Sequence, residues 1–140
     1  MNPQYLRIGN IVSHTNSNGT FLCKITEKRP RYVKVVIKGR SGEYRLRYDQ
    51  IKPVKITEEY IKQMGFRLFK KEDNKFYDEK MEVQLVLNPI NDSKMVDVYE
   101  YDDVCGHEYY LTSCYFVHDL QNTLFDNFKD IEYYLTLENF

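Results

Sequence analysis

Two cysteines and two histidines in the second half of the chain are the residue types that a tetrahedral zinc site uses. They are Cys105, His107, Cys114 and His118. Structural zinc sites usually contain a Cys-x-x-Cys pair, which this sequence lacks, and Cys114 and His118 would lie one turn apart at the start of a helix. The alternative is that Cys114 is buried, Cys105 lies in a loop and His118 caps or packs on the helix.

Two further arrangements have the residue types for catalysis. Cys114 and His118 could act as nucleophile and base, because a thiolate near a helix N-terminus is acidified, but no third residue orients them. Glu100, Asp102 and Asp103 could hold a divalent metal for phosphodiester cleavage, although an acidic loop after a strand is usually solvated. The chain also lacks a Walker or Rossmann glycine loop. The sequence therefore predicts a protein that is not an enzyme and that needs no cofactor.

The distribution of charge is the most informative feature of the sequence. The formal net charge is -1, but residues 1–55 contain twelve Lys and Arg against three acids, and residues 56–140 contain eight against eighteen. This split favours a polyanion or an acidic surface as the partner of the first part. The candidate contact residues are Lys28, Arg29, Arg31, Lys34, Lys38, Arg40, Arg45 and Arg47.

The elements that must position these cations are short strands. Asn18-Gly19 lies between two apolar segments, which is a strong hairpin signal. Residues 32–38 and 43–48 alternate between apolar or aromatic and charged side chains, so that the cations of both strands are expected on outward faces. With a fifth strand at 51–56, the pattern predicts a small SH3-like barrel.

The tyrosines of this segment have two interpretations. Tyr32, Tyr44 and Tyr48 would offer planes on which the bases of a single strand stack, if any of them faces outward. Alternatively, Tyr44 and Tyr48 line the barrel core, and the cations keep the barrel soluble or neutralise the acidic part.

The rest of the chain predicts an α+β protein with two parts, 1–56 and 57–140. A short linking helix begins at the N-cap Thr57 and ends at Gly65. Strand patterns over 66–101, and again near 109–112, predict an antiparallel sheet packed against a C-terminal helix at 115–128. The last segment, 131–137, is again strand-like.

The sequence predicts a cytoplasmic protein without a membrane segment. No stretch approaches the roughly 20 apolar residues that span a bilayer, and the first residues do not have the pattern of a signal peptide. Cys23, Cys105 and Cys114 are an odd, scattered set, which indicates free thiols.

Three sequence blocks carry a resemblance to a known group of proteins. They are LRIGNIV at 6–12, IKPVKITEE at 51–59 with MGF at 64–66, and YFVHDLQN at 115–122. Together they resemble a family of small uncharacterised proteins of bacteriophages and conjugative elements. The chain departs from the family pattern at Asp119, and it lacks the family's glycine turn after Phe128. The resemblance implies a bacterial cytoplasm in which a mobile element acts on nucleoprotein.

These observations lead to one main hypothesis and several alternatives. The main hypothesis is a non-catalytic binder of nucleic acid or of a host nucleoprotein complex, such as an anti-CRISPR-like inhibitor of host defence. A surface of Glu100, Asp102, Asp103 and Glu108 could serve such an inhibitor by imitating phosphates. A structural or accessory protein of a virion or transfer apparatus would instead use the Tyr-rich sheet for protein contacts. A zinc enzyme is the third possibility.

Overall fold

The computed structural model describes residues 1–70, 74–78, 80–90, 93–102 and 104–128. It confirms the α+β class, with two antiparallel sheets and a C-terminal helix. The first sheet contains β1 (Ile11–Asn16), β2 (Gly19–Lys28), β3 (Tyr32–Ile37) and β4 (Glu43–Arg47). The second contains β5 (Arg67–Lys70), β6 (Lys75–Tyr77), β7 (Val83–Ile90), β8 (Ser93–Asp102) and β9 (His107–Cys114). The helices are α1 (Glu58–Gln63) and α2 (Val117–Asn127).

The first sheet is a meander with the strand order β1-β2-β3-β4. The predicted hairpin is confirmed: Asn16 pairs with Gly19, so the two connecting residues are Ser17 and Asn18. In β3 the burial alternates from residue to residue, as the sequence pattern predicts. The inward residues form a core of Leu6, Val12, Cys23, Ile25, Val33, Val35, Ile37, Leu46 and Ile51.

The strands of this sheet do not close into a barrel. Within residues 1–70, β1 and β4 stay at the two edges, and the expected fifth strand at 51–56 is reduced to the isolated bridge residues Lys52 and Lys55, of which Lys52 pairs with Ser13. The Ser13 and Lys52 amides and carbonyls exchange two hydrogen bonds of 2.9 Å. Pro53, which has no N–H, follows this bridge directly, so a regular ladder does not continue there.

The chain forms two compact units, and the division differs from the predicted one. Met1–Val54 and residues 116–128 belong to the first unit, and Lys55–Tyr115 forms the second. Helix α2 therefore belongs to the unit that contains the first sheet, where it contacts β1. The sequence pattern had predicted that this helix packs against the second sheet. Its buried face contains Val117, Leu120 and Leu124.

The second unit begins with α1. The Thr57 hydroxyl accepts a hydrogen bond from the Tyr60 amide, which confirms the predicted N-cap, and Gly65 after the helix has a φ of 97°. The second sheet is a meander in the order β5-β6-β7-β8-β9, again as predicted. The strand-like segment 131–137 lies outside the described residues.

Among the described residues, none of the helices has both the length and the apolar composition needed to cross a bilayer.

Candidate nucleic-acid interface

The pairing of β3 with β4 brings an aromatic ring and three cations onto one side of the first sheet. Tyr32 lies opposite Arg47, and Lys34 lies opposite Arg45. Val33 and Leu46, which alternate with these residues, are buried in the core, so the four side chains project to the opposite side. We call the surface formed by Tyr32, Lys34, Arg45 and Arg47 the cationic face.

Among the described residues, Arg45 has no acidic partner, unlike Lys34 and Arg47. Its guanidinium carbon lies 5.1 Å from the centroid of the Tyr32 ring, which is the geometry of a cation–π contact. Within the described residues, Arg45 forms no ion pair, although Glu43 lies on the same strand face. Because Lys34 lies directly opposite, two like charges face each other across the ladder.

Glu27 of β2 offsets part of this repulsion. Its carboxylate lies 3.0 Å from the Lys34 ammonium and 2.8 Å from the Arg29 guanidinium. The hydrogen bond from Lys34, followed by the one from Arg29, lowers the pKa of Glu27 below its ordinary value. Glu27 therefore acts as an internal counter-ion for two of the predicted contact residues.

The ion pair at Arg47 is more open to solvent. Its guanidinium Nε lies 3.1 Å from the Asp49 carboxylate, and both side chains are about two-thirds exposed. Exposed ion pairs contribute roughly 0 to 1 kcal/mol, so Asp49 holds the Arg47 guanidinium only weakly.

The other predicted contact residues are dispersed over the first unit. The Lys28 ammonium donates to the carbonyls of Pro3, at 2.9 Å, and Leu6, at 2.6 Å, so it holds the N-terminal segment in place. The guanidinium carbon of Arg40 lies 4.5 Å from the centroid of the Phe21 ring. Arg31 and Lys38 are exposed in the turns at the two ends of β3. The eight predicted contact residues therefore do not all lie on the cationic face, because turns and local carbonyls hold several of them elsewhere.

Of the three tyrosines considered as stacking planes, only Tyr32 belongs to the cationic face. Tyr44 lies opposite the buried Val35 and projects to the core side, at the edge of the sheet. Tyr48 packs against the core, and its hydroxyl donates to the Arg29 carbonyl at 2.7 Å. Desolvation by burial raises the pKa of Tyr48.

Sequence reasoning did not predict that Lys24 and Glu27 project from β2 on the same side of the first sheet as the cationic face. Lys24 lies between the buried Cys23 and Ile25, and this local alternation is a signal that could have placed it outward. Cys23 belongs to the core, and its burial raises the pKa of its thiol to about 11. The position of Glu27 had no comparable signal, because the register of β2 shifts between Ile25 and Glu27.

The predicted acidic surface is not a single patch. Glu100 pairs with Tyr109 and Glu108 pairs with Tyr101, so the two glutamates project to opposite faces of the second sheet. Glu108 also lies 3.7 Å from the Lys75 ammonium.

Asp102 has a local role in the turn between β8 and β9. Hydrogen bonds from the Cys105 side chain and then from the Val104 amide lower its pKa. Asp103, the remaining member of the predicted acidic surface, lies outside the described residues.

The candidate zinc ligands do not form a metal site within the described part of the chain. No group of three or more His, Cys, Asp or Glu side chains there could hold a metal ion. Cys105 and His107 are exposed in and beside a turn, and Cys114 is buried. His118 is also buried: its ring stacks on Phe116, and its Nε2 lies 3.2 Å from the Asp119 carboxylate.

The first and last sequence blocks contact each other in the first unit. The buried Gln121 side chain accepts a hydrogen bond from the Ile11 amide, at 2.9 Å, and donates one to the Gly9 carbonyl, at 3.2 Å. The Asn10 side chain donates to the Asn122 side chain at 2.8 Å. These blocks therefore fix α2 against the start of β1 and lie apart from the pairing that forms the cationic face.

Comparison of the chain with models of protein families, with curated protein sequences and with solved structures finds no match.

Proposed function

We propose that this protein binds nucleic acid and that the cationic face of the first sheet is its contact surface. The observation that carries the proposal is Arg45, an exposed guanidinium that is held over the Tyr32 ring, lies opposite Lys34 and forms no ion pair among the described residues. Charge-assisted hydrogen bonds from guanidinium and ammonium groups are the main contacts to phosphates.

The neighbouring ion pairs support the same proposal. Asp49 and Glu27 are the protein's own acids at Arg47 and Lys34, and a nucleic-acid phosphate would take their place. Repulsion between the opposed Lys34 and Arg45 would be relieved by a phosphate between them.

The biological setting is part of this proposal. The sequence blocks support an origin in a bacteriophage or other mobile element and a role in the bacterial cytoplasm, without catalysis. A host nucleoprotein complex, such as a defence nuclease, then becomes the target, and the protein acts as its inhibitor. This part of the proposal rests on the resemblance alone.

The test is a fluorescence anisotropy titration with a labelled oligonucleotide at several salt concentrations. The logarithm of the association constant should fall linearly with the logarithm of salt concentration, because bound cations release counterions. Arg45→Glu with Arg47→Glu should weaken binding by more than about tenfold at about 50 mM salt. Circular dichroism verifies that the variant is folded.

A matched control changes the net charge by the same amount elsewhere. Lys94→Glu with Arg67→Glu reverses two exposed cations of the second sheet, and it should change the affinity by less than about threefold. Equal losses in the two double variants, or no binding of the wild type at low salt, would refute the proposal.

A protein-contact role is the second candidate. Tyr109 and Tyr110, on the edge strand β9, are 53% and 59% exposed, and exposed tyrosines are enriched at protein interfaces. This candidate becomes the leading one if the wild type fails to bind any oligonucleotide.

A further inference from the structure

A shallow cleft of about 380 Å³, open to solvent, adjoins the cationic face at one end of the first sheet. Pro3, Gln4, Lys28, Arg29, Pro30 and Tyr48 line it. Two lining residues are joined by the backbone to residues of the cationic face. Tyr48 follows Arg47 directly in the chain, and the Arg29 amide donates to the Tyr32 carbonyl at 2.9 Å.

Hydrogen bonds hold the walls of this cleft in place. The Lys28 ammonium binds two carbonyls of the N-terminal segment, which fixes the wall that carries Pro3 and Gln4. The Tyr48 hydroxyl binds the Arg29 carbonyl, which fixes the opposite wall beside Pro30. A preformed cleft loses little conformational entropy when a ligand enters it.

The lining combines ring surfaces with polar groups. Pro3, Pro30 and Tyr48 contribute rings, and Gln4 contributes an amide with both a donor and an acceptor. A nucleobase needs this combination, because its faces are apolar and its edges form hydrogen bonds. Arg29 at the wall supplies a charge for the adjoining phosphate.

We propose that this cleft holds one unstacked base and that the ligand is therefore single-stranded nucleic acid. The inference rests on the proposed function, because the cationic face supplies the contacts to the phosphates. A base in a duplex is paired and stacked and enters a pocket only after it is flipped out, which costs a few kcal/mol. Single strands present their bases without this cost.

The experiment compares three ligands of about twelve nucleotides: a thymidine strand, the same strand with abasic sites in place of its bases, and the thymidine–adenine duplex. The wild type should bind the thymidine strand about tenfold more tightly than the abasic strand, and more tightly than the duplex. The abasic strand has the same phosphate charge, so the ratio reports base contacts alone.

A variant of the cleft locates these contacts. Gln4→Leu removes the amide that would bind the edge of the base and should reduce the affinity ratio of the two single strands to about twofold, whereas Glu59→Leu, at an exposed position of α1, should keep the wild-type ratio. If the wild type binds the abasic strand or the duplex as tightly as the thymidine strand, the inference is overturned while the proposed function stands. If none of the three ligands binds, the proposed function itself is overturned.

Discussion

Glu27 shows how a single acid sets the charge of the candidate interface. It engages both Lys34 and Arg29, so two cations that the sequence assigns to ligand binding are occupied in the free protein. Because its pKa is lowered, the Glu27 carboxylate is fully ionised at every pH above the ordinary pKa of glutamate. The two ion pairs are lost only as the pH falls through the lowered pKa. Near neutral pH the counter-ion is therefore constantly present.

Replacing this acid should strengthen nucleic-acid binding. Glu27→Gln removes the counter-ion of Lys34 and Arg29, and we expect about three- to tenfold tighter binding with a steeper dependence on salt. Glu43→Gln is the matched control: it removes one charge from the same face but releases no ion-paired cation in the described structure, and its effect should be smaller. Anisotropy titrations of both variants decide the point; an equal effect would mean that Glu27 acts only through net charge.

Lys34 and Glu27 show which features of the candidate interface the local sequence predicts and which it does not. Strand alternation placed Lys34, Arg45 and Arg47 outward, because side-chain direction in a strand has a period of two. It could not pair Glu27 with Lys34, since a shift in the β2 register decides which residues lie opposite each other.

At the scale of elements, polar groups of α2 complete the edge of the first sheet. The Ile11 amide at the start of β1 has no strand partner on that side, and the fully buried Gln121 side chain accepts its hydrogen bond. Arg7 adds a bidentate contact to Asp126 at 2.7 and 3.0 Å. The helix therefore covers an edge that would otherwise present free backbone groups.

Loss of the Gln121 amide should destabilise the first unit. Gln121→Leu replaces the amide with an apolar side chain and leaves the Ile11 amide and the Gly9 carbonyl without this partner. We expect the free energy of unfolding to fall by about 2 to 4 kcal/mol, measured by urea denaturation. Asn127→Ala, at the exposed end of the same helix, should cost less than about 1 kcal/mol. A stable Gln121→Leu protein would show that packing alone holds the helix.

The sequence predicted α2 almost to its ends, but not its location. The spacing of apolar residues predicts which face of a helix is buried, but it does not predict which sheet covers that face. The same limit explains the missing barrel, because five strand-like segments do not determine whether the first and last strands pair.

At the scale of the whole molecule, the second unit is an insertion into the first. Lys55–Tyr115 lies between two segments of the other unit, and the chain leaves and re-enters that unit at adjacent points. The Val54 carbonyl accepts a hydrogen bond from the Val117 amide at 2.8 Å. The shift in charge near residue 56 lies close to the point where the chain leaves the first unit. The composition shows no comparable change near residue 116, where the chain enters that unit again.

We expect the first unit to fold without the insertion. Removing Lys55–Tyr115 and joining Val54 to Phe116 through a short glycine-serine linker keeps the core, α2 and the cationic face. Insertions between adjacent chain points are generally tolerated, and so is their removal. The joined protein should unfold cooperatively by circular dichroism and bind the thymidine strand within about threefold of the full chain. An unfolded product would show that the first unit depends on the second.

The contact between Gln121 and Ile11 also has a consequence for synthesis on the ribosome. The two residues are 110 positions apart, so at roughly 5 to 20 residues per second the amide of Ile11 waits about 5 to 20 s for its acceptor. During that interval the flank of β1 that α2 covers in the folded protein is uncovered, because the Lys55–Tyr115 segment is synthesised before α2. Chaperones can therefore meet this flank of β1 before α2 covers it.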